Sequence, residues 1–255
     1  MHILAIGDIV GDSGTELFLE KIDELKQRYQ VDFCIVNGEN ACTGNGINRH
    51  KAELLLDGGA DVLTLGNHTF RQKEATALLA HNDKILRPLN FPPETVGKGA
   101  AVYQVGDVRI GVINLLGRVH MDPVDCPYRA VDAALKTMKA DLIFVDFHAE
   151  TTSEKVSMGW HLDGRVTAVF GTHTHVQTAD EWVLPGGTGY ITDLGMTGPI
   201  YSCLGVKKEI TLERFITAMP RRFEFADGKA KLCGALFCVD EKTGKTQSVE
   251  RVCEV

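Results

Sequence analysis

The chain has 255 residues, 44% apolar and 24% charged, the balance of an ordinary globular protein with room for a substantial core. Its net charge of -7 and pI near 5.7 argue against nonspecific binding of nucleic-acid polymers, which calls for a basic face, but leave room for a small phosphate ester neutralised by a bound cation. Seven scattered cysteines with no Cys-x-x-Cys pair point to a reducing compartment rather than a disulfide framework, and no apolar run approaches the roughly 20 residues of a membrane span, so a soluble, cytoplasmic protein is expected.

Ile3–Ile6 reads as a short strand ending at Gly7-Asp8. Ser13 stands three residues before Glu16, a capping-box pattern, and Phe18, Ile22, Leu25 and Tyr29 then mark one face of a helix. Phe33–Val36 is a second strand, closed by Asn37-Gly38-Glu39-Asn40 and followed by the glycine-rich loop Thr43-Gly44-Asn45-Gly46. A helix over Lys51–Asp57 stops at Gly58-Gly59, and the strand Val62–Leu65 ends in Gly66-Asn67-His68. Three strand ends thus deliver Asp8, Glu39-Asn40 and Asn67-His68, where open α/β sheets place their ligands.

Lys73–Ala80 reads as a helix, and Ala100–Val105 with Val108–Leu115 as a hairpin around Gly106-Asp107. This β-β sequence breaks the βα alternation and points to a mixed or second sheet. Arg118 and His120 lie in an irregular stretch. A helix over Ala130–Lys139 leads to the strand Leu142–Phe147, which ends at His148-Ala149-Glu150. After a short helix at Ser153–Met158, the strand Val166–Phe170 runs into Gly171-Thr172-His173-Thr174-His175. On an extended or tightly turned segment the two histidines point to the same side.

Glu181–Leu184 and Gly189–Thr192 read as strands, and Asp193–Pro199 as a loop. The tail has a helical stretch at Leu212–Thr217 and strand-like pieces at Arg222–Ala226, Lys229–Val239 and Gln247–Val252. No repeat or linker divides the chain, so residues 1–255 are expected to form one domain, with the strands of 200–255 closing a sheet edge or forming a contact between copies in a homo-oligomer.

The polar residues at the strand ends are Asp8, Glu39, Asn40, Asn67, His68, His148, His173 and His175. Carboxylate, amide and imidazole together suit Fe, Mn or Zn better than Mg or Ca. The set is too large for one transition ion and right for two sharing a carboxylate, and two such ions about 3.5–4 Å apart make a hydrolytic site for in-line displacement. Taken singly, each of these residues also fits a cap, a turn or a satisfied buried histidine; their joint occurrence at successive strand ends is what points to metal.

The ordered blocks Gly7-Asp8, Gly38-Glu39-Asn40, Gly66-Asn67-His68, His148 and Gly171-Thr172-His173-Thr174-His175 resemble the calcineurin-like metallophosphoesterases. Three positions depart from the usual signature: Val10 stands where a histidine is common, the shared carboxylate is Glu39 rather than aspartate, and Thr172 separates the glycine from the first histidine. These departures, with Gly7–Gly11, Asn37–Ala41 and Asp163-Gly164-Arg165-Val166, resemble the YmdB-like bacterial metallophosphoesterases over residues 3–199. The resemblance implies a four-layer αββα sandwich of two mixed β-sheets flanked by helices, and a binuclear centre holding two transition-metal ions, iron first, with manganese or zinc acceptable.

It implies further that Asp8, Glu39, Asn40 and His175 hold the first ion, Asn40 standing in for the histidine absent at Val10. Asn67, His148 and His173 complete the second, with Glu39 as the bridge and His68 as the catalytic proton donor. The activity implied is hydrolysis of small cyclic nucleotides, 2′,3′-cyclic esters above all, by attack of a metal-bridging hydroxide. Arg118, His120 and Asn45 are the candidates for substrate contact, and Glu150 and Asp193 for orienting ligand histidines. A phosphomonoesterase of 5′-nucleotidase type, or a nucleotide-binding regulator with weak turnover, are the alternatives.

Overall fold

The computed structural model describes residues 1–43 and 45–255. The chain opens with β1 (His2–Ile6), β2 (Asp8–Ile9), α1 (Gly11–Tyr29), β3 (Phe33–Asn37), α2 (Arg49–Asp57), β4 (Val62–Thr64), α3 (Ala75–His81) and β5 (Ile85–Leu86). It continues with β6 (Ala100–Val105), β7 (Val108–Leu116), α4 (Pro127–Thr137), β8 (Leu142–His148), α5 (Thr152–Leu162) and β9 (Ala168–Thr172). Last come β10 (Trp182–Val183), β11 (Gly189–Ile191), β12 (Met196–Pro199), α6 (Lys208–Thr217), β13 (Ala230–Val239) and β14 (Thr246–Glu254).

These strands form an eight-stranded sheet in the order β2-β12-β13-β1-β3-β4-β5, with β14 also on β13, and a six-stranded sheet in the order β10-β11-β9-β8-β7-β6. Both are mixed: β1 pairs parallel with β3 but antiparallel with β13, and β7 pairs parallel with β8 but antiparallel with β6. The four-layer αββα sandwich is the observed architecture.

The layers follow from strand alternation. In β1, Leu4 and Ile6 face one way, onto Phe18, Ile22 and Leu25 of α1, while Ile3 and Ala5 face the other sheet. The space between the sheets is filled by Phe33, Ile35, Phe144, Phe170 and Phe237. Phe144 and Phe170 each approach the Phe237 ring, with centroids 6.1 and 6.0 Å away. On the far face of the second sheet, Val145, Phe147 and Val169 pack with Val131 of α4 and with Met158 and Leu162 of α5. Strands apolar on both faces are what a sheet covered on both sides demands.

Several expectations are corrected. Ser13 does not cap α1, which begins at Gly11 with Val10 as an extended N-cap residue and no side-chain cap. Val10 is pinned in a parallel bridge to Asn40, and the Gly11 N–H donates to the Asn40 carbonyl at 2.9 Å, so the chain must turn into the helix at once. Gly11 takes φ +64°, a conformation suited to glycine. Met196–Pro199 is strand rather than loop, because β12 pairs with both β2 and β13. Arg222–Ala226 contributes only a single bridge, Phe225 to Val206.

The tail enters the first sheet deeply. β13 lies directly against β1, with β14 and β12 sharing its other side. The seven cysteines are all free, and among the described residues no helix is long and apolar enough to cross a membrane. Gly44, part of the glycine-rich loop read from the sequence, lies outside the described residues.

Candidate metal centre

The polar strand ends converge at one edge of the sandwich. Asp8 begins β2 and is fully buried; Glu39 and Asn40 follow β3; Asn67 and His68 follow β4; His148 is the last residue of β8; His173 and His175 follow β9. Gly66 shows how closely they pack. A Cβ there would stand 2.3 Å from the His148 ring and 2.4 Å from Glu39 Oε2. The strand must pass without a side chain for the two to meet.

His148 Nε2 is the focus. Glu39 Oε1, Asn67 Oδ1 and His173 Nδ1 each lie 3.1 Å from it. These are lone-pair atoms, and one proton on Nε2 cannot satisfy all three at once. The ligand atoms of Glu39, His148 and His173 lie within 4.8 Å of one another, a spacing that suits a shared cation. Beside them a second group forms, with His175 Nε2 3.7 Å from Asp8 Oδ1 and 3.2 Å from Asn40 Nδ2. Asp8 Oδ1 is buried and has no hydrogen-bond partner, a cost a cation would remove. Glu39 Oε1 touches both groups, reaching Asn40 Nδ2 at 3.2 Å as well as His148.

Each histidine commits its outer nitrogen elsewhere. His148 Nδ1 meets Thr172 Oγ1 at 2.8 Å, His173 Nε2 meets Glu150 Oε2 at 2.9 Å, and His175 Nδ1 meets the Leu204 carbonyl at 2.9 Å. An N–H donated outward leaves the inner nitrogen bare, the arrangement that metal-binding histidines use. The donor set therefore fits a transition-metal centre.

The histidine pair is not held as an extended segment. His173 takes φ +98° and His175 φ +64°, both left-handed, and strand alternation does not aim them. The loop is held by buried contacts: the Thr174 N–H donates to Asp193 Oδ2 at 3.1 Å, and Lys155 Nζ, itself buried, donates to Asp193 and to the Thr172 carbonyl. Strained non-glycine backbone of this kind clusters at functional sites. Asp193 thus holds loop backbone rather than a histidine ring, whereas Glu150 bonds His173 directly.

Titration follows the same geometry. Burial raises the Asp8 pKa. Burial also works to raise that of Glu39, but the charge of His148 and hydrogen bonds from His148 and His68 outweigh it and hold the carboxyl well below the usual range. Burial opposes protonation of His148, yet Glu39 and Asp8 push its pKa up to about 9. Burial and then the neighbouring His148 drive His173 down to about 3. Opposed shifts within one cluster are typical of sites with chemistry to perform.

His68 sits over the centre. Its Nδ1 lies 2.8 Å from Asn40 Oδ1 and 3.1 Å from Glu39 Oε1, and its Nε2 lies 3.1 Å from Asn45 Nδ2. Asn40 consequently gives its amide oxygen to His68 and turns Nδ2 toward His175. Asn45 borders a cleft of about 700 Å³ that is also lined by Asp12, Thr43, Arg222 and Phe223. Arg118 and His120 are exposed beyond β7, and among the described residues neither side chain hydrogen-bonds the centre. Arg118 instead donates its backbone N–H to the Glu154 carboxylate at 3.0 Å.

The packing around Val10 accounts for the position where a histidine is common. A Cβ on Gly205 would stand 2.6 Å from Val10 Cγ1, so the 203–206 segment lies against Val10 while the Leu204 carbonyl receives His175. Leu204 gave no signal in the sequence. Asp146, which joins the same network through Thr172, did: it is a lone carboxylate in the apolar run of β8.

A two-sheet αββα sandwich with a mixed carboxylate, amide and imidazole centre at its strand ends defines the calcineurin-like metallophosphoesterase class. Within that class, the YmdB-like protein family model matches residues 4–252, and the chain belongs to that family. A Bacillus subtilis (strain 168) relative named 2′,3′-cyclic-nucleotide 2′-phosphodiesterase is 44% identical over 254 residues, 99% of this chain and 96% of its own. The crystal structure of a hypothetical protein from Thermus thermophilus superposes with a TM-score of 0.94 at 41% identity, covering 99% of this chain and 98% of that one. A Mycoplasma pneumoniae structure described as a novel phosphatase gives 0.95 at 35% identity, covering 99% and 92%.

Proposed function

We propose that the chain is a metal-dependent phosphodiesterase acting on small cyclic nucleotides, 2′,3′-cyclic esters foremost. The observation that carries this reading is the ring of lone-pair atoms around His148 Nε2, with the unpartnered Asp8 Oδ1 beside it. The name of the Bacillus relative supports the substrate class.

In this reading Asp8, Glu39, Asn40 and His175 would hold one ion, with the Asn40 amide turned so that its oxygen faces inward. Asn67, His148 and His173 would hold the other, and Glu39 would serve both. Iron is the first candidate, with manganese or zinc acceptable. Bound ions supply neutralisation of the ester's negative charge and activation of water. The chain's own residues do the rest. With the Asn40 oxygen turned to the ion, Glu39 Oε1 anchors His68 through Nδ1, which leaves Nε2 facing Asn45 and the cleft. Protonated there, with the Asn45 amide turned so that its oxygen accepts, His68 gives its proton to the departing ribose oxygen as the P–O bond breaks and water adds, leaving a monophosphate. Arg222 and Phe223 of the cleft offer a cation and an aromatic face to the nucleoside.

The test is a substrate panel with iron, manganese and zinc: 2′,3′-cyclic AMP, bis(p-nitrophenyl) phosphate and p-nitrophenyl phosphate. The cyclic diester should lead in kcat/KM. The Mycoplasma phosphatase favours a second reading, and a preference for the monoester would decide for it. No turnover with any metal would leave nucleotide binding as the function. His68→Ala should retain metal and lose about 10²–10⁴-fold in turnover; full activity would remove His68 from the chemistry.

A further inference from the structure

We infer that Thr172 and Asp146 are positioning residues that fix the tautomer of His148 and thereby set the metal affinity of the centre. The inference rests on the metal-centre part of the proposed function and is independent of the substrate.

Asp146 lies mid-sheet in β8 and is fully buried, and among the described residues no lysine or arginine pairs with it. Three donors converge on it: Thr172 Oγ1 at 2.7 Å on Oδ1, Asn37 Nδ2 at 3.1 Å on Oδ2, and the Thr64 hydroxyl on Oδ2. The Asn37 amide cannot present its oxygen instead, because Asn37 Oδ1 already accepts the Glu39 N–H at 3.2 Å. Asn37 therefore fixes Oδ2 as an acceptor, and in its ionised form Asp146 accepts on Oδ1 as well.

The consequence passes through Thr172. A hydroxyl has one hydrogen, and here it goes to Asp146. Thr172 can then only accept from His148 Nδ1, 2.8 Å away. In the neutral form that a cation requires, His148 must carry its one proton on Nδ1 and present Nε2 as a lone pair, toward Glu39, Asn67 and His173. Without the hydroxyl, the imidazole has no acceptor at Nδ1 and its proton is free to sit on Nε2, where it competes with a cation. The residue that separates glycine from histidine in Gly171-Thr172-His173 thus has a chemical use. The same Asn37 that binds Asp146 holds the Glu39 backbone, so the network also ties His148 to the carboxylate it faces.

The test is zinc binding by competition with a chelating indicator, using Thr172→Val and Thr172→Ser. Valine keeps the shape and removes the hydroxyl; serine restores the hydroxyl. Thr172→Val should lose about 10–100-fold in zinc affinity, the range typical of partners that orient metal-binding histidines. Thr172→Ser should recover most of it. Equal affinity in Thr172→Val and wild type would overturn the inference, as would a loss that serine does not restore. No zinc binding by wild type would overturn the centre itself, a distinguishable failure. Should Thr172→Val not fold, nitrogen-15 spectra of the metal-free wild type, taken at a pH where His148 is neutral, decide: His148 should show a protonated Nδ1, and a protonated Nε2 would refute the assignment.

Discussion

Replacing Lys155 by methionine should destabilise the protein sharply, and the structure indicates by how much. Lys155 and Asp193 are both buried, and Lys155 Nζ also donates to the Thr172 carbonyl at 2.7 Å. Removing one partner of a buried ion pair costs about 3–5 kcal/mol, because the remaining charge is left without compensation. Asp193 would keep its hydrogen bonds from Gly195 N and Thr174 N, at 2.8 and 3.1 Å, which places the expected loss near the lower end, about 3 kcal/mol. For a chain of this size that corresponds to a fall of roughly 6–12 °C in Tm. Lys155→Met with Asp193→Asn should recover more than half of the loss, since the buried charge is gone. Thermal and urea unfolding of both singles and the double give the coupling directly. A single variant that melts with wild type, or a double that merely adds the two losses, would refute the view that this pair clamps the histidine loop. Zinc affinity should fall in the single as well, because Asp193 and Lys155 hold Thr174 and Thr172 on either side of His173.

Two further outcomes follow from packing. Gly66→Ala should abolish or strongly weaken metal binding, measured by the same indicator competition, because its Cβ would overlap His148 and Glu39; wild-type affinity would show that β4 can move aside. Phe237→Ala should cost about 3–5 kcal/mol in urea unfolding, since its ring is fully buried between the sheets against Phe144 and Phe170; a loss under about 1 kcal/mol would mean that the core collapses around the gap.

Most of the strands and helices were legible because their cues are local. The period of Phe18, Ile22 and Leu25 marks α1, and the apolar runs of β1, β3, β8 and β9 mark strands covered on both faces. The misread segments answer to distant partners. Met196–Pro199 is a strand only because β2 and β13 flank it, and α1 starts at Gly11 only because Asn40 holds Val10. Neither fact has a signature within the segment itself.

By itself the sequence determined which residue types stand at the strand ends and in what order, because each strand end is announced by polar residues after an apolar run, with a glycine beside them at all but His148. That was enough to single out Asp8, Glu39, Asn40, Asn67, His68, His148, His173 and His175 together. Tertiary structure alone decided how they face one another. The left-handed turns at His173 and His175, rather than strand alternation, set their approach to His148, Asp8 and Asn40. The Leu204 carbonyl, brought in from the tail, takes the outer nitrogen of His175, and Thr172, whose hydroxyl hydrogen goes to Asp146, takes that of His148. Hydrogen-bond direction depends on which groups meet across the fold, and these groups come from strands far apart in the chain.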